Sequence, residues 1–588
     1  MTSGSETLPS FSEILAFNAG AAEMHCDHDV SVTFLRNFTI EGVEPFLTYH
    51  CLKSGIRPAI SFGGFDTVLQ DLIEPLPHEH GHPADIVVLA LVLEQIDPAC
   101  GEPGWRASGA IERLRALFQA AAAQTVSLLA VNTFIPPYDT DFGIAAGTGL
   151  SSPDSEVAAL NRFIREFVLE HRTRFILLDW ERMAMICGEQ ETVDYRFWYM
   201  SKAPFKQPFL NLYALEILKA VRDLKGRSRK CLLLDCDNTL WGGVVGEDGL
   251  AGIHLDRHSY PGNIFYDFQK QVLRLHDRGV LLALVTKNNQ DDVWEVLERH
   301  PDCLIRCGHL AAWRINWSDK ADNIRSIAEE LNLGLDSFVF VDDSPVECDL
   351  VRAMLPEVAV IQVPAKLYTF PRLLSRAGLF DTLTVSAEDR CRSAMYRAEG
   401  ERKLAEGGFA SREEYLATLG MVATIRQAGE EDLERMAQLT QKTNQFNLTT
   451  RRYSAARIGA FIRAADAAVF SLSVSDRFGD SGLTGVMIAF RDGEVGRIDS
   501  FLLSCRILGR NLESVFLDHC LALLRDRWTV SEWVAEYIPS RRNVQTAAFY
   551  DTAGFSADRA DPARTVYRCD AARRVSRTIA YITVKEVT

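Results

Sequence analysis

The chain has 588 residues, a length that corresponds to about four domains at roughly 150 residues each. Apolar residues make up 47% and charged residues 24% of the chain, the balance of a protein that folds around apolar cores. The 79 acidic and 63 basic residues give a net charge of −16, which excludes a protein that coats nucleic acid or anionic membranes. No run of about 18 apolar residues occurs, so we expect no span across a bilayer.

The amino-terminal segment MTSGSETLPSFSEIL has neither the charged region nor the apolar core of a secretory signal. We therefore predict a cytoplasmic protein whose thirteen cysteines are free thiols. The cysteine spacings do not favour structural zinc, because the pair Cys303 and Cys307 has no second pair to complete a site.

Residues 1–225 alternate apolar runs with helix-length segments. The strand-like runs are residues 85–91, 126–132 and 174–179. Short apolar runs at this spacing are typical of a parallel α/β sheet. We interpret residues 1–225 as one α/β domain.

A second α/β domain is predicted for residues 226–378. Its strand-like runs are residues 230–235, 280–286 and 337–342, and each of them ends on a polar residue. Open parallel sheets place their sites at the carboxyl ends of the strands. We therefore expect these polar residues to lie together at one edge of the sheet.

Residues 379–418 are charged and helical in pattern, which indicates a connector. From residue 419 to the end the pattern changes to an α+β domain. Two apolar runs, residues 483–490 and 495–503, flank the turn sequence RDGE at 491–494. This arrangement predicts an antiparallel hairpin. The fold class is thus a multidomain α/β protein with three domains and a connector.

The most specific segment is DCDNT at 235–239, directly after an apolar run. Carboxylates two residues apart at a strand end can share a hard cation such as Mg²⁺. Asp235 can attack phosphorus as a nucleophile. Asp237 is then suited to protonate the leaving oxygen and to activate water. We read Cys236, between them, as a packing residue.

Three further elements complete a site for phosphoryl transfer. Thr286 ends a strand and can bind phosphoryl oxygens beside Lys287 and Asn288, and Lys320 can balance the charge of the nucleophile. Two aspartates end the third strand. The predicted metal ligands are Asp235, Asp237 and Asp342, and Asp343 is predicted to bind substrate.

The order of these residues resembles the four motifs of the haloacid dehalogenase superfamily of aspartate-nucleophile phosphatases. The resemblance implies a Rossmann-like parallel sheet, an aspartyl-phosphate at Asp235 and Mg²⁺ as the cofactor. The short spacing between Asp237, Thr286 and Lys320 leaves no room for a large cap domain. We therefore expect an open site, accessible to a bulky substrate or a neighbouring domain, whose substrate is carried on or covered by another protein surface.

The C-terminal domain contains a turn of the form Arg-x-x-Gly between a strand and a helix, at 506–509. Amides at such a helix start bind the phosphates of a ligand that carries pantetheine. The segment NVQTAAFYDTAGF at 543–555 resembles the closing signature of GNAT acyltransferases. The residues predicted to bind pantetheine are Gly509, Arg510, Asn511, Asn543 and Tyr550.

Cys505 lies where that strand gives way to the helix, and its thiol is our candidate for an acyl acceptor. The usual role of a free cysteine, a small buried apolar residue, is the alternative. Amides and hydroxyls concentrated at 443–449 suit an oxygen-rich acid or phosphate. The residues predicted to bind this substrate are Asn444, Gln445, Asn447, Thr449 and Arg506.

Segments along nearly the whole chain resemble the FkbH-like family. They are RNFT (36–39), FGGFD (62–66), LDCDNTLWGG (234–243), TNQFNLT (443–449) and SCRILGR (504–510). The resemblance implies transfer of a glyceryl unit from 1,3-bisphosphoglycerate to an acyl carrier protein, with removal of the 3-phosphate. It also favours Cys505 as the acyl acceptor.

The first domain resembles a degenerate SGNH hydrolase, with Asn37 where that fold would carry its serine loop. We expect no hydrolysis there, and Asn132 and Asp194 are possible relics. Because carrier proteins are typically acidic, a chain of net charge −16 must attract them locally. The arginines predicted to do so are Arg451, Arg452, Arg541, Arg542, Arg573 and Arg574.

Two other functions remain open at this point. One is a phosphatase of a small phosphoester fused to an N-acyltransferase that uses acetyl coenzyme A. The other is a non-catalytic scaffold that docks a carrier protein. The complete aspartate motif set argues against the scaffold, because docking alone needs none of Asp235, Asp237 and Lys320.

Overall fold

The computed structural model describes residues 9–74, 83–102, 104–139, 152–390, 392, 395, 396, 398, 399, 402, 405, 409, 411–540, 542–558, 561, 563–572 and 579–587. The chain forms two compact units. Of the described residues, the N-terminal unit contains 9–225 together with 453–460, and the C-terminal unit contains 226–452 and those from 461 onward. In the described part of the chain, no helix has the length and apolar character that a membrane span requires.

The N-terminal unit is built on a parallel sheet with the strand order β2-β1-β3-β4-β5. The strands are β1 (His28–Arg36), β2 (Ile56–Phe65), β3 (Ile86–Ala90), β4 (Leu128–Asn132) and β5 (Phe175–Leu178). The helices are α1 (Phe11–Ala19), α2 (Glu44–Lys53), α3 (Val68–Ile73), α4 (Leu93–Ile96), α5 (Ser108–Gln124), α6 (Pro153–Glu170), α7 (Trp180–Cys187), α8 (Glu189–Thr192), α9 (Tyr195–Ser201) and α10 (Gln207–Leu224). The three predicted strands of this unit are confirmed as β3, β4 and β5.

The C-terminal unit contains a second parallel sheet, in the order β10-β9-β6-β7-β8. Its strands are β6 (Cys231–Leu234), β7 (Leu281–Thr286), β8 (Leu310–Ile315), β9 (Phe338–Asp342) and β10 (Ala359–Gln362). Every residue of β6, β7 and β9 is buried, as expected for central strands covered on both faces. These are the three strands predicted from their apolar runs.

Helices cover both faces of this sheet. They are α11 (Val245–Gly252), α12 (Gly262–Asp277), α13 (Gln290–Arg299), α14 (Lys320–Glu330), α15 (Pro345–Met354) and α16 (Leu373–Ala377). Between β6 and β7 the chain forms only α11 and α12. The structure therefore has no inserted cap domain in this fully described stretch, as the motif spacing predicts.

The remaining strands form a mixed sheet in the order β17-β18-β16-β15-β14-β13-β11-β19, and β12 pairs with β15. They are β11 (Met421–Gln427), β12 (Phe446–Asn447), β13 (Ala467–Asp476), β14 (Gly479–Asp492), β15 (Val495–Leu503), β16 (Glu532–Tyr537), β17 (Ser556–Asp558), β18 (Thr565–Asp570) and β19 (Ile582–Val587). The last helices are α17 (Ala387–Arg390), α18 (Arg412–Ala417), α19 (Leu433–Lys442), α20 (Ala455–Arg463), α21 (Leu512–Arg527) and α22 (Phe549–Thr552). The predicted hairpin is confirmed, because β14 and β15 pair in antiparallel fashion.

A short segment closes the space where β15 and β16 separate. These strands pair in parallel only from Val495 to Ile498 of β15. Beyond that point β12 pairs with β15. Leu448 donates its backbone N–H to the Phe501 carbonyl at 3.2 Å and accepts from the Ile538 N–H at 2.8 Å. Residues 446–448 thus join the two strands, and their backbone groups are satisfied within the protein.

Candidate active sites

The carboxyl edge of the second parallel sheet gathers the predicted phosphatase residues. Thr286 and Asp342 are the last residues of β7 and β9, and Asp235 directly follows β6. The Asp235 N–H donates to the Val341 carbonyl at 3.0 Å, which continues the ladder and fixes the aspartate beside its neighbours. The three side chains are buried. Adjacent parallel strands therefore bring residues more than 100 positions apart to one point.

Lys320, the first residue of α14, joins two of these carboxylates. Its Nζ lies 2.7 Å from Asp235 Oδ1 and 2.5 Å from Asp342 Oδ2. Burial raises the pKa of Asp235 to about 7, although the Lys320 ammonium opposes the rise. Burial works against the charge of Lys320, but the two carboxylates hold its pKa above the ordinary lysine value. The lysine is therefore a fixed cation beside the predicted nucleophile.

Carboxylate oxygens of Asp235, Asp342 and Asp343 lie within 4.8 Å of one another. Oxygen ligands at this density suit Mg²⁺, and a single ammonium leaves the cluster with an excess of negative charge. Burial, followed by the charge of Asp342, raises the pKa of Asp343. The cluster differs from the predicted ligand set, because Asp343 belongs to it and the Asp237 side chain does not.

Asp237 lies outside that cluster because three donors hold its carboxylate. Oδ1 accepts from the Trp241 indole at 2.8 Å and from the Val245 N–H at 3.1 Å. Oδ2 accepts from the Asn288 amide at 2.9 Å. The carboxylate is thereby oriented by two groups that follow it in the chain and by Asn288 after β7, which suits the acid and base role predicted for it. Cys236, between the aspartates, is fully buried.

Replacing Trp241 with phenylalanine tests this orientation. The substitution keeps a buried aromatic ring but removes the indole donor, and a hydrogen bond to a charged group contributes about 1.5–3 kcal/mol. We expect kcat for phosphomonoester hydrolysis to fall about tenfold or more, with little change in KM. Trp528→Phe is the matched control, because Trp528 is also buried but lies against Trp533 in the other sheet. Equal kcat values for the two variants would contradict this positioning role.

The other two residues predicted to bind substrate at this edge have protein partners. The Lys287 ammonium lies 2.7 Å from a carboxylate oxygen of Glu347. The Asn288 amide donates to the Thr286 hydroxyl at 3.2 Å as well as to Asp237. Asn288 thus links the threonine to the proposed acid and base, and contact of either residue with substrate stays a prediction.

Cys505 lies in a different place, a cavity of about 250 Å³. Its walls include Lys230, directly before β6, and Ser337, directly before β9. The cavity therefore opens at the amino ends of the strands whose carboxyl ends gather the predicted phosphatase residues. At about 3.3 Å per residue, the five positions from Lys230 to Asp235 span about 16 Å. The two candidate sites lie on opposite edges of one sheet.

The Cys505 thiol is partly exposed and lies 3.7 Å from the Tyr396 hydroxyl. The Asn332 amide donates to the Cys505 carbonyl at 3.3 Å, which ties the cysteine loop to the second parallel sheet. Burial, followed by the proximity of the thiol, raises the pKa of Tyr396 well above its ordinary value. Tyr396 therefore stays protonated and can donate to sulfur.

Three of the five residues predicted for the substrate of this domain line the cavity with Cys505. They are Asn444, Gln445 and Arg506. Asn447 and Thr449 do not line it. The side-chain oxygen Oδ1 of Asn447 accepts from the Thr450 N–H at 2.9 Å, and the Thr449 hydroxyl donates to the Asp499 carbonyl at 3.0 Å. These two residues shape the loop instead, which corrects the prediction that they face the substrate.

The cavity residues that sequence reasoning missed include Lys230, Tyr396 and Arg435. Lys230 is the one with a recognisable signal, because it stands at the polar start of the β6 run. Tyr396 and Arg435 belong to segments whose pattern indicates only helix. Nothing in those segments distinguishes them from neighbouring polar residues.

The residues predicted to bind pantetheine have mostly internal roles. Gly509 and Asn511 adopt positive φ angles of 73° and 63° in the turn before α21. The Arg510 guanidinium pairs with Asp476 at 3.2 Å and with Glu399. Tyr550 is buried and packs against Phe555 and Tyr567.

Asn543 is also buried, and its amide joins three chain segments. It donates to the Asn447 carbonyl at 2.9 Å and to the Ile538 carbonyl at 3.0 Å, and it accepts from the Ser540 N–H at 2.8 Å. The side chains of Arg510, Asn543 and Tyr550 thus face protein rather than a ligand groove, which differs from the prediction.

Replacing Asn543 with alanine separates the two roles. The variant leaves buried backbone carbonyls without donors, so we expect the free energy of unfolding in urea to fall by about 2–4 kcal/mol. Asn263→Ala is the control, because the Asn263 side chain makes no hydrogen bond in the described part of the structure; we expect a change within about 0.5 kcal/mol. A fully stable Asn543→Ala protein with weakened binding of a pantetheine thiol would restore the original prediction.

The arginines predicted to attract a carrier protein divide into two groups. Arg541, Arg573 and Arg574 lie outside the described residues. The other three have internal partners: Arg451 pairs with Asp499 and Glu536, Arg452 donates to backbone carbonyls and to Asn444, and Arg542 pairs with Asp336. Because their charges are largely used within the protein, these three form a weaker patch than predicted.

In the N-terminal unit, the residues predicted to be relics of an SGNH hydrolase site have structural roles. The Asn37 amide donates to the Val92 carbonyl and accepts from the Val92 N–H, at 3.0 and 2.8 Å. Asn132 makes the same pair of bonds with Leu91, each at 2.9 Å. Asp194 caps α9 by accepting from the Phe197 N–H. Both asparagines hold the chain after β3, and the relation to SGNH hydrolases stays a prediction.

Comparison with known proteins identifies a shared fold. No family model matches the sequence, and no curated protein matches it. One similar structure is the crystal structure of the N-terminal part of protein BF1531 from Bacteroides fragilis, which contains a phosphatase domain and is complexed with Mg. The similarity covers 64% of this chain and 100% of that chain. The sequence identity is 23% and the TM-score is 0.58. These values establish the fold alone.

Acetyltransferase structures match a further part of the chain. The ribosomal-protein-S18-alanine N-acetyltransferase from Escherichia coli is 14% identical over 25% of this chain and 90% of its own, with a TM-score of 0.20. A PaiA N-acetyltransferase from Thermoplasma acidophilum, in complex with coenzyme A, is 16% identical over 25% of this chain and 98% of its own, with a TM-score of 0.19. Neither score supports a conclusion about this chain.

Proposed function

We propose that the protein is a glyceryltransferase and phosphatase that takes an acyl unit from 1,3-bisphosphoglycerate, passes it to an acyl carrier protein and removes the 3-phosphate. The observation that carries the proposal is the pair of sites on one sheet. A carboxylate cluster with a bound lysine lies at the carboxyl edge, and a thiol in a cavity rich in cations lies at the amino edge.

At the carboxyl edge, the proposed reaction is hydrolysis of a phosphomonoester. An Asp235 oxygen attacks phosphorus, the bond from phosphorus to the alcohol oxygen breaks, and Asp237 gives that oxygen its proton. Water, deprotonated by Asp237, then attacks the aspartyl-phosphate and releases inorganic phosphate. Lys320 holds the nucleophile in place and balances the charge of the phosphoryl group.

Asp235, Asp342 and Asp343 are the residues that would hold Mg²⁺. The bound ion would reduce the repulsion between the carboxylate nucleophile and an anionic phosphoryl group. The donor set supports this assignment, because it consists of three carboxylates that a single ammonium does not neutralise.

At the amino edge, the proposed reaction is acyl capture. The Cys505 thiolate attacks the acyl carbon of the acyl phosphate, a C–S bond forms, and the C–O bond to the departing phosphate breaks. An acyl phosphate is already activated, so no ATP is needed. The thiolate of the carrier's phosphopantetheine then attacks the thioester and regenerates the Cys505 thiolate.

The separation of the two sites supports a mobile carrier. An acyl group on Cys505 would have to cross the sheet, a distance of about 16 Å from one strand end to the other, to reach Asp235. We therefore infer that the 3-phosphate is not removed while the acyl unit is bound to Cys505. Removal would follow transfer to the carrier, whose arm can leave one edge and enter the other.

A fusion of phosphatase and acetyl coenzyme A acyltransferase receives less support. The turn predicted to bind pantetheine directly follows β15, so in this alternative the coenzyme A thiol would enter an open groove between β15 and its neighbour β16. Residues 446–448 join them there through backbone hydrogen bonds. A scaffold without activity is likewise disfavoured by the oriented contacts of Asp237.

Removal of metal separates the two proposed reactions. With EDTA in excess, we expect phosphomonoester hydrolysis to fall at least about a hundredfold and to recover when Mg²⁺ is added. Acyl capture on Cys505 should stay within about twofold, because the carboxylate cluster lies at the other edge of the sheet. Release of inorganic phosphate from a small phosphomonoester and formation of the thioester on the peptide that contains Cys505 are the two measurements. Loss of both reactions in EDTA would contradict the division.

A further inference from the structure

Charge is distributed unevenly around the Cys505 cavity. Six of the lining side chains are cationic and two are carboxylates. The cations are Lys230, Arg392, Arg435, Lys442, Arg506 and Arg542, and the carboxylates are Asp336 and Glu388. Such an excess is unusual in a chain of net charge −16, and it is costly to hold away from bulk water without counter-charges.

Some of these cations have carboxylate partners within the protein. Arg542 pairs with Asp336 at 2.5 Å. Asp389, which is buried behind the cavity, pairs with Arg392 and lies 4.0 Å from the Lys442 ammonium. The pKa of Asp389 is held well below its usual range, because these two cations and local hydrogen bonds outweigh its burial.

The other three cations have no carboxylate within 4 Å among the residues that the structure describes. The Lys230 ammonium donates to the Lys442 carbonyl, at 2.6 Å. Arg435 is 8% exposed and donates to the Leu483 carbonyl and to Gln438. Arg506 donates to the Ser504 hydroxyl and contacts Met395.

The electrostatic cost of this arrangement is visible in the pKa values. Burial lowers the pKa of Lys230 to about 8. Burial, with the charges of Arg506 and Arg392, lowers the pKa of Arg435 to about 9. An anion in the cavity would offset part of this penalty, because each of the three cations would gain a counter-charge.

A neutral polar atom also lacks a partner there. Gln445 Oε1 is buried and accepts no hydrogen bond from the residues that the structure describes, while the amide nitrogen of the same residue donates to the Asn332 carbonyl at 3.4 Å. An amide oxygen without a donor suits a ligand that carries a hydroxyl group. The cavity thus has unsatisfied groups for both an anion and a hydroxyl.

We propose that Lys230, Arg435 and Arg506 bind the phosphoryl group that leaves when Cys505 captures the acyl unit, and that Gln445 accepts a hydrogen bond from a hydroxyl of that unit. The proposal rests on the proposed function, because it specifies the donor as a hydroxylated acyl phosphate. As the C–O bond breaks, the electron pair goes to the phosphate oxygen, and the three cations stabilise the added charge. The guanidinium groups of Arg435 and Arg506 supply donors that match phosphate oxygens.

The test uses inorganic phosphate as the probe and the alkylation of Cys505 as the readout. Trypsin cleavage after Arg497 and Arg506 releases a peptide with Cys505 as its single cysteine, so mass spectrometry reports this thiol separately. Iodoacetamide is applied to the full-length enzyme with increasing phosphate, and with chloride at matched ionic strength. We expect phosphate, but not chloride, to slow alkylation at least about threefold in a saturable manner.

Variants then assign the binding to the named cations. Arg435→Gln and Lys230→Gln each remove a charge-assisted contact, so the apparent Kd for phosphate should rise at least about tenfold. Arg402→Gln is the control, because Arg402 is equally buried but is paired with Asp476 and Glu399. Its apparent Kd should stay within about twofold of the parent value, with folding checked by thermal melting.

The outcomes distinguish this proposal from the function on which it rests. If phosphate does not protect Cys505, or if the three variants bind phosphate equally, the anion site is wrong even where Cys505 still loads. If phosphate protects Cys505 as expected but Cys505→Ala still loads the carrier, the anion site stands and the proposed acyl capture is wrong.

Discussion

Replacing Asp235 with asparagine is expected to abolish phosphate removal and to leave a phosphorylated acyl unit on the carrier protein. The amide cannot act as the nucleophile, and loss of a covalent nucleophile typically costs several orders of magnitude in rate, here on the order of 10³ or more. Acyl transfer from Cys505 should continue at nearly the parent rate. The measurement is intact mass spectrometry of the carrier after incubation with 1,3-bisphosphoglycerate.

The matched control for this variant is Asp349→Asn. Asp349 is an exposed residue of α15 that pairs with Arg352 on the same helix, so its charge should not affect the chemistry. Carrier incubated with this control should carry the unit without phosphate. A dephosphorylated product from the Asp235→Asn enzyme would show that another group is the nucleophile.

Replacing Cys505 with alanine is expected to have the complementary effect. No thioester can form on the enzyme, so loading of the carrier should fall at least about a thousandfold. Hydrolysis of a small phosphomonoester at Asp235 should stay within about twofold, because the thiol lies at the opposite edge of the sheet. Carrier mass and free phosphate report the two activities separately.

Cys569→Ala is the control for the cysteine variant. Cys569 is also partly exposed, but it lies in β18, two strands away from β15, and it does not line the Cys505 cavity. Its loss should leave loading unchanged. Parent-like loading by Cys505→Ala would mean that the carrier thiol attacks the acyl phosphate directly, and it would remove the cysteine from the proposed reaction.

The phosphatase edge could be predicted from the sequence because each of its residues is next to an apolar run. A buried parallel strand ends where the polar residue begins, so the order of Asp235, Thr286 and Asp342 along the chain already implies their proximity. The separate roles of the acidic residues were harder to predict. Whether Asp237 or Asp343 joins the carboxylate cluster depends on donors such as the Trp241 indole, which a linear motif does not display.

The cavity around Cys505 was only partly predictable. Its loop residues Asn444 and Gln445 stand in a polar segment that attracts notice, but Lys230 and Arg435 are isolated cations in otherwise ordinary segments. They meet only because the mixed sheet packs at the amino edge of the second parallel sheet, within the same compact unit. Packing between two sheets is a tertiary property, and no local pattern reports it.

The errors at Asn543 and Tyr550 have a related cause. Their sequence signature correctly marks a turn and a short helix near the end of the chain, but it does not say which side of that helix faces the protein. In the structure both side chains face inward, where they hold residues 446–448 and the aromatic core.

The central claim is that acyl capture and phosphate removal occur at opposite edges of one sheet, with the carrier moving the unit between them. The most direct test omits the carrier. Parent enzyme is incubated with Mg²⁺ and 1,3-bisphosphoglycerate, quenched in acid and digested with pepsin. The mass of the peptide that contains Cys505 is then measured by mass spectrometry. We predict a thioester that still carries its phosphate. A dephosphorylated glyceryl unit on Cys505, or an acyl group on another residue in place of Cys505, would contradict the claim.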